Sequence, residues 1–193
     1  MTDTVYPIPA RTARSEAVIK RSRFITTLAH APNQTAARDC VNARRKEYPT
    51  ANHHGRARVA GPPGKCRVIG CTDDGEPPGT AGKPMLQVLL NCGVGEVVAV
   101  VTRYFGGTKL GKGGLVKAYT QGVQAALESL STKEKREWTE LELSCSYVQL
   151  DAVKHLCRQF DARITDTDFG ERITVRIAVE AHHRESLKAV LPF

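Results

Sequence analysis

Val97-Val98-Ala99-Val100-Val101 runs without a polar break, and no other segment narrows the available folds of this 193-residue chain as far. Side chains of an extended segment alternate between faces, so Val97, Val98, Val100 and Val101 put apolar groups on both faces of one strand, Glu96 to Phe105. Such a strand belongs in the middle of a sheet that is covered on both sides. Directly after it, residues 103 to 119 hold five glycines and four cationic side chains in a turn. A helical stripe of Leu115, Tyr119, Val123, Ala126, Leu127 and Leu130 follows.

That turn is built to attract an anion. Glycine lets the backbone approach a ligand closely, and the free N–H groups and dipole of the following helix favour negative charge. The candidate anion-binding residues are Arg103, Lys109, Gly111, Lys112, Gly113, Gly114 and Lys117. Gly106, Gly111 and Lys112 match the spacing of a P-loop, but Gly113 stands where that loop needs a hydroxyl for Mg²⁺. No clear hydrophobic strand ending in Asp follows to complete a nucleotide site, so no nucleotide cofactor is expected. A purely structural turn with solvated lysines also fits, because glycine and lysine both suit exposed loops.

Charge separates the chain into two parts. Residues 1–130 carry 18 Lys and Arg against 9 Asp and Glu, a net of +9, whereas residues 131–193 carry 10 against 11, a net of −1, so all the excess positive charge of the net +8 lies in the first part. A basic first part favours a polyanionic partner there. No apolar run is long enough to span a bilayer, and Asp3, Arg11 and Arg14, set among Pro7 and Pro9, interrupt any signal-peptide core. A cytoplasmic protein without membrane association is expected. Cys40, Cys66, Cys71, Cys92, Cys145 and Cys157 show no C-x-x-C spacing and read as small buried hydrophobes, with neither disulfides nor zinc.

Ser131 to Glu137 has no apolar residue and reads as a linker, giving domains at 1–130 and 138–193 with 131–137 between them. In the first, Val18 to Leu28 is expected to be extended. Asn33 to Tyr48 is expected to be helical, with a shallow apolar face of Ala36, Cys40 and Ala43 and with Arg38, Arg45 and Lys46 in solvent. Strands are expected at His54 to Ala60 and Arg67 to Thr72, and a helix at Met85 to Leu90 with Pro84 in its first turn. In the second, Leu141, Leu143, Cys145 and Tyr147 alternate with polar residues as a half-buried strand. A helix from Leu150 to Phe160, a short strand at Ile164, a strand through Ile173 to Val179 and a helix near His183 complete the order β-α-β-β-α. This is a split ferredoxin-like unit without its last strand, since the chain stops at Phe193.

A second chemical candidate is the run Asp73 to Pro84. Asp73, Asp74 and Glu76 invite a metal or acid–base reading, although in an extended segment only Asp74 and Glu76 converge. The favoured reading is a structural loop whose acids pair with Arg103 or Lys83. His53 and His54 are adjacent, hence opposed when extended, and lack a serine or cysteine to activate. Tyr104 and Phe105 read as core residues before base-stacking ones. No catalytic residue, metal or cofactor is assigned.

Together these segments resemble the IMPACT family, in its bacterial YigZ-like branch. The resemblance rests on Asp73 to Pro84, Val98 to Val101, Arg103 to Gly111 and Gly113 to Tyr119, with Ser22-Arg23-Phe24-Ile25 and His53-His54 also fitting. It implies an α+β protein with an N-terminal ribosomal protein S5 domain 2-like domain and a C-terminal ferredoxin-like domain, a pair similar to the fourth and fifth domains of elongation factor G. It also implies an association with control of translation. Here Gly55 stands where relatives often carry cysteine, and the final C-terminal strand is expected to be missing.

The combined expectation is a translation-associated regulatory protein, not an enzyme, that binds RNA or a ribosomal surface through its basic N-terminal domain. Two alternatives are a metal-dependent enzyme acting on a phosphorylated substrate through Asp73, Asp74 and Glu76, and a protein-binding adaptor without RNA contact.

Overall fold

A computed structural model describes residues 5–64 and 68–191, so Asp3, Cys66, Arg67 and Phe193 lie outside the described residues. Two compact units separate between Glu134 and Lys135. The N-terminal unit is organised by an antiparallel five-stranded sheet of β2 (Ala13–Ile19), β3 (Ser22–His30), β4 (His53–Ala60), β5 (Val68–Thr72) and β6 (Val97–Tyr104). Their spatial order is β2-β3-β6-β4-β5, which puts the valine-rich strand at the centre.

Both faces of β6 are buried, as the apolar run requires. Val97, Ala99 and Val101 pack with Phe24, Leu28, Met85, Tyr119 and Val123, under helices α2 (Gly82–Asn91) and α3 (Gly111–Glu128). Val98 and Val100 pack on the other face with Ala31, Ala37 and Val41, under α1 (Gln34–Glu47). The apolar face of α1 therefore centres on Ala37 and Val41, and Ala43 is exposed, one position off the sequence expectation. Asn33 caps α1, its side chain accepting from Ala36 N–H at 2.9 Å.

Two strands are not among the expected elements. β1 (Val5–Pro9) and β7 (Thr132–Arg136) form a separate two-stranded sheet, so most of the segment expected to be a linker is strand. Backbone pairing overrides composition there. Cys71 is also exposed, because β5 is an edge strand with its outward side chains in solvent.

In the C-terminal unit, β8 (Trp138–Cys145), α4 (Leu150–Gln159), β9 (Arg163–Phe169), β10 (Ile173–Glu180) and α5 (Arg184–Val190) form the expected β-α-β-β-α order. The antiparallel sheet has the order β8-β10-β9, with no strand beyond β8 among the described residues. Ile173, Val175, Ile177 and Val179 alternate into a core with Val153, Cys157 and Leu187. β8 stops before Tyr147 because Ser146 opens a helical turn, its N–H donating to Gln149 Oε1 at 2.8 Å, and Tyr147 is left exposed. Among the described residues no helix is long and apolar enough to cross a membrane.

Candidate nucleic-acid interface

The end of β6, the starts of β3 and β4 and the entrance of α3 meet at one end of the N-terminal sheet. Register fixes the neighbours: Arg103 lies opposite Phe24 on β3 and opposite His53 on β4. Phe105 N–H donates to Asn52 Oδ1 (2.8 Å) and Gly106 N–H to Ser22 Oγ (3.2 Å), tying the chain that leaves β6 to both sides. At Gly106 a Cβ would stand 2.1 Å from the Arg21 carbonyl carbon, so only glycine allows the loop to lie against the β2–β3 turn.

The glycine-rich segment then enters α3. Gly111 takes a φ of 76°, and the helix begins after Leu110 with no side-chain cap and no acidic residue in its first turn. The first N–H groups and the positive end of the helix dipole are therefore open to an external anion. Gly113 has nothing within 4 Å of where a Cβ would stand, which leaves this approach unobstructed. Lys109 and Lys112 are exposed beside it. Lys117 is exposed too, but at roughly 100° per residue it lies about 140° around the helix from Lys112 and does not share its face.

Sequence reasoning missed two contributors and ranked a third, Phe105, as a core residue ahead of a base-stacking one. Lys20 and Arg21 form the β2–β3 turn, both exposed and both with positive φ (46° and 66°), and the close approach at Gly106 sets that turn beside the glycine loop. Phe105, expected in the core, is 45% exposed. The signal available for them was the glycine at 106, which marks a backbone approach without naming its partner.

Arg103 is not part of the open surface. It is 5% exposed, donates from Nη1 to Glu76 Oε1 (2.7 Å) and Oε2 (2.9 Å) and from Nη2 to Ser22 Oγ (3.2 Å), and lies between the rings of Phe24 and Phe105. Glu76 also accepts from Tyr119 Oη at 2.7 Å. A guanidinium this deeply buried needs a carboxylate, and the sheet end supplies one. Burial, and after it the Glu76 charge, push the Tyr119 phenol far above its ordinary pKa, so it remains a donor.

The three acids do not converge, not even Asp74 with Glu76. Asp74 (φ 48°) and Gly75 (φ 87°) make a left-handed turn that sends each carboxylate to a different partner. Asp73 accepts from the N–H groups of Gly79 (2.8 Å), Ala81 (2.9 Å) and Gly82 (2.8 Å), thereby tying down the start of α2. Asp74 accepts from Arg45 Nη2 (2.7 Å) and from the His54 N–H (2.8 Å). Of the expected ion pairs, Arg103 with Glu76 is present, whereas Lys83 acts only as a nearby charge on Asp73. Among the described residues no three His, Cys, Asp or Glu side chains group as a metal site.

Burial pushes the Asp73 carboxyl up, but its three backbone N–H donors and Lys83 outweigh this and hold it below the ordinary 3.8. A depressed carboxylate contributes stability above its unfolded pKa and loses it as pH falls through the folded value. Asp73→Asn sets an amide against backbone donors and is expected to cost about 1–3 kcal/mol at neutral pH. Its stability also falls less steeply than wild type below pH 3.8, which urea unfolding across that range measures. His54 behaves similarly for a different reason: burial lowers its pKa below 6.5, so it adds to stability above that value and costs stability as pH falls from it.

Residues 20–127, from the Lys20 turn to the last turn of α3, match the family model described as the Impact N-terminal domain. The chain belongs to the IMPACT family. Residues 143–191 match a domain of unknown function, DUF1949. The chain is 48% identical to "IMPACT family member YigZ" of Escherichia coli over 90% of its own length and 85% of that protein. It is 41% identical to an IMPACT family member of Haemophilus influenzae over 96% of its length and 90% of that relative. A solved structure titled as that of a hypothetical protein is 46% identical, covers 96% of this chain and 90% of its own, and superposes with a TM-score of 0.74. In this IMPACT chain Gly55 is fully enclosed, with Tyr119, Ala81 and Met85 atoms 3.2–3.4 Å from where a Cβ would stand, so a cysteine there would require small shifts of its neighbours.

Proposed function

We propose that this IMPACT-family chain binds RNA, free or on a ribosomal surface, through the entrance of α3, and thereby takes part in control of translation. The observation that carries the reading is the uncapped first turn of α3, flanked by exposed Lys109 and Lys112 and by the Lys20-Arg21 turn. Uncapped N–H groups bind a phosphate without regard to sequence, and the lysines add the electrostatic attraction that dominates nucleic-acid affinity. Phe105 offers an exposed ring at the same place for stacking on a base. Lys117 can reach phosphates only of a strand that wraps around the helix.

The family's association with control of translation supplies the setting. A metal-dependent reaction through Asp73, Asp74 and Glu76 is disfavoured, because each carboxylate is already held by a different internal partner. Capture of tagged protein from lysate, with and without nuclease, separates RNA binding from a protein adaptor. The RNA-binding reading expects co-purifying ribosomal components to be lost on digestion; association that survives complete digestion contradicts it.

A further inference from the structure

A second basic feature lies on the opposite face of the sheet from α3, in the cleft between α1 and strands β4 and β5. Gln34, Arg38, Asn42 and Arg45 recur every three or four residues along one face of α1 and line one wall. Arg56 and Arg58, two apart on β4, line the other wall. Val41 and Val98 lie between the walls, and the cleft encloses about 430 Å³, within the range of small-molecule sites.

The charge in this cleft is compensated only in part. Of its four guanidinium groups only Arg45 has a carboxylate, Asp74 Oδ1 at 2.7 Å. Among the described residues Arg38, Arg56 and Arg58 have no ion pair, and the buried Arg58 Nε has no hydrogen-bond partner. Burial, and after it the Arg45 charge, hold the Arg56 guanidinium below its ordinary pKa, with the Asp74 carboxylate opposing the effect and Arg58 adding to it. The Arg58 head is nevertheless seated: Gly70 lies opposite it across the β4–β5 ladder, and a Cβ there would stand 3.0 Å from Arg58 Cζ. A side chain at position 70 would crowd the guanidinium and shift it by a few tenths of an ångström, so this glycine leaves room for Arg58 in the cleft.

We propose that this cleft binds a small ligand bearing a pyrophosphate group, such as a nucleoside diphosphate, with Arg38, Arg56 and Arg58 as its principal contacts and Arg45 at the rim. Three unneutralised guanidinium groups match the two to three negative charges of such a group, and planar guanidinium forks donate to phosphate oxygens in pairs. The amide side chains of Gln34 and Asn42 remain to contact the rest of the ligand.

Titration of the full chain with sodium pyrophosphate, by calorimetry and by thermal unfolding, tests this proposal, with sulfate at matched ionic strength as the control. Binding of one pyrophosphate per chain and a rise in Tm that sulfate does not reproduce are expected. Arg58→Gln weakens affinity by about tenfold or more, and so does Arg38→Gln, whose exposed position keeps the fold intact. Lys188→Glu, an exposed position on α5 with no part in either basic site, leaves affinity within about twofold of wild type. The absence of saturable binding overturns the proposal, and so does an equal loss in Lys188→Glu, because that would mean general attraction to a positively charged chain. Competition distinguishes the source of the phosphate: displacement by a nucleoside diphosphate supports a small ligand, whereas displacement by a 5′-triphosphorylated oligonucleotide alone overturns it.

Discussion

Replacing Glu76 by Gln is expected to lower the stability of the N-terminal unit by about 3–5 kcal/mol, read as a fall in the urea midpoint with an unchanged m-value. The carboxylate and the Arg103 guanidinium it accepts from are 2% and 6% exposed as side chains, so neither can turn to water when its partner is lost. An amide at position 76 offers one acceptor where Nη1 now finds two, and its NH₂ faces donors on Arg103 and Tyr119. A buried guanidinium left without a counter-charge is the costly outcome, because it cannot shed its proton.

The same reasoning predicts the double variant. Glu76→Leu with Arg103→Met removes both charges and is expected to be less damaging than the sum of the single changes, since desolvation of the pair offsets much of its attraction. A loss of less than about 1 kcal/mol for Glu76→Gln would mean that the pair behaves as an exposed ion pair. The acidic run would then not be the structural loop described above.

Much of this arrangement could be read from the sequence, and what could not has identifiable causes. Val97 to Val101 announces a strand buried on both sides because its apolar character is continuous, and Asn33 announces the start of α1 through its capping side chain. The pairing of Arg103 with the acidic run was one of two readings of that arginine. The other, as a phosphate ligand, fails because β6 carries the side chain inside the sheet end rather than onto the loop. β1 and β7 stayed hidden because Thr132 to Arg136 is made into a strand by its partner and not by its own pattern. Lys20 and Arg21 are more than eighty residues from the glycine loop in sequence, and no local signal joins them to it. The α1 arginines read as solvated for a related reason: a helix face shows its own charge, but not the arginines of the strand opposite.

The second large effect concerns the interface. Each lysine that neutralises a phosphate releases counterions, so the affinity for single-stranded RNA falls with salt in proportion to the number of contacts, by about 0.7 in log–log slope for each. Lys109→Glu with Lys112→Glu removes two such contacts and places negative charge before the uncapped N–H groups of α3, where it competes with phosphate. Both side chains are exposed, so folding should be unaffected, within about 0.5 kcal/mol. Lys117→Glu, on another face of the helix, is expected to change the slope by less than either of the first two.

The slope of log K against log salt concentration, measured for wild type and for Lys109→Glu/Lys112→Glu on one single-stranded RNA, tests the assignment of the α3 entrance most directly. A slope shallower by about 1.4 units in the variant, with weaker binding at low salt, is the expected result. An unchanged slope and affinity in a correctly folded double variant would contradict the assignment and would place any RNA contact elsewhere on the chain.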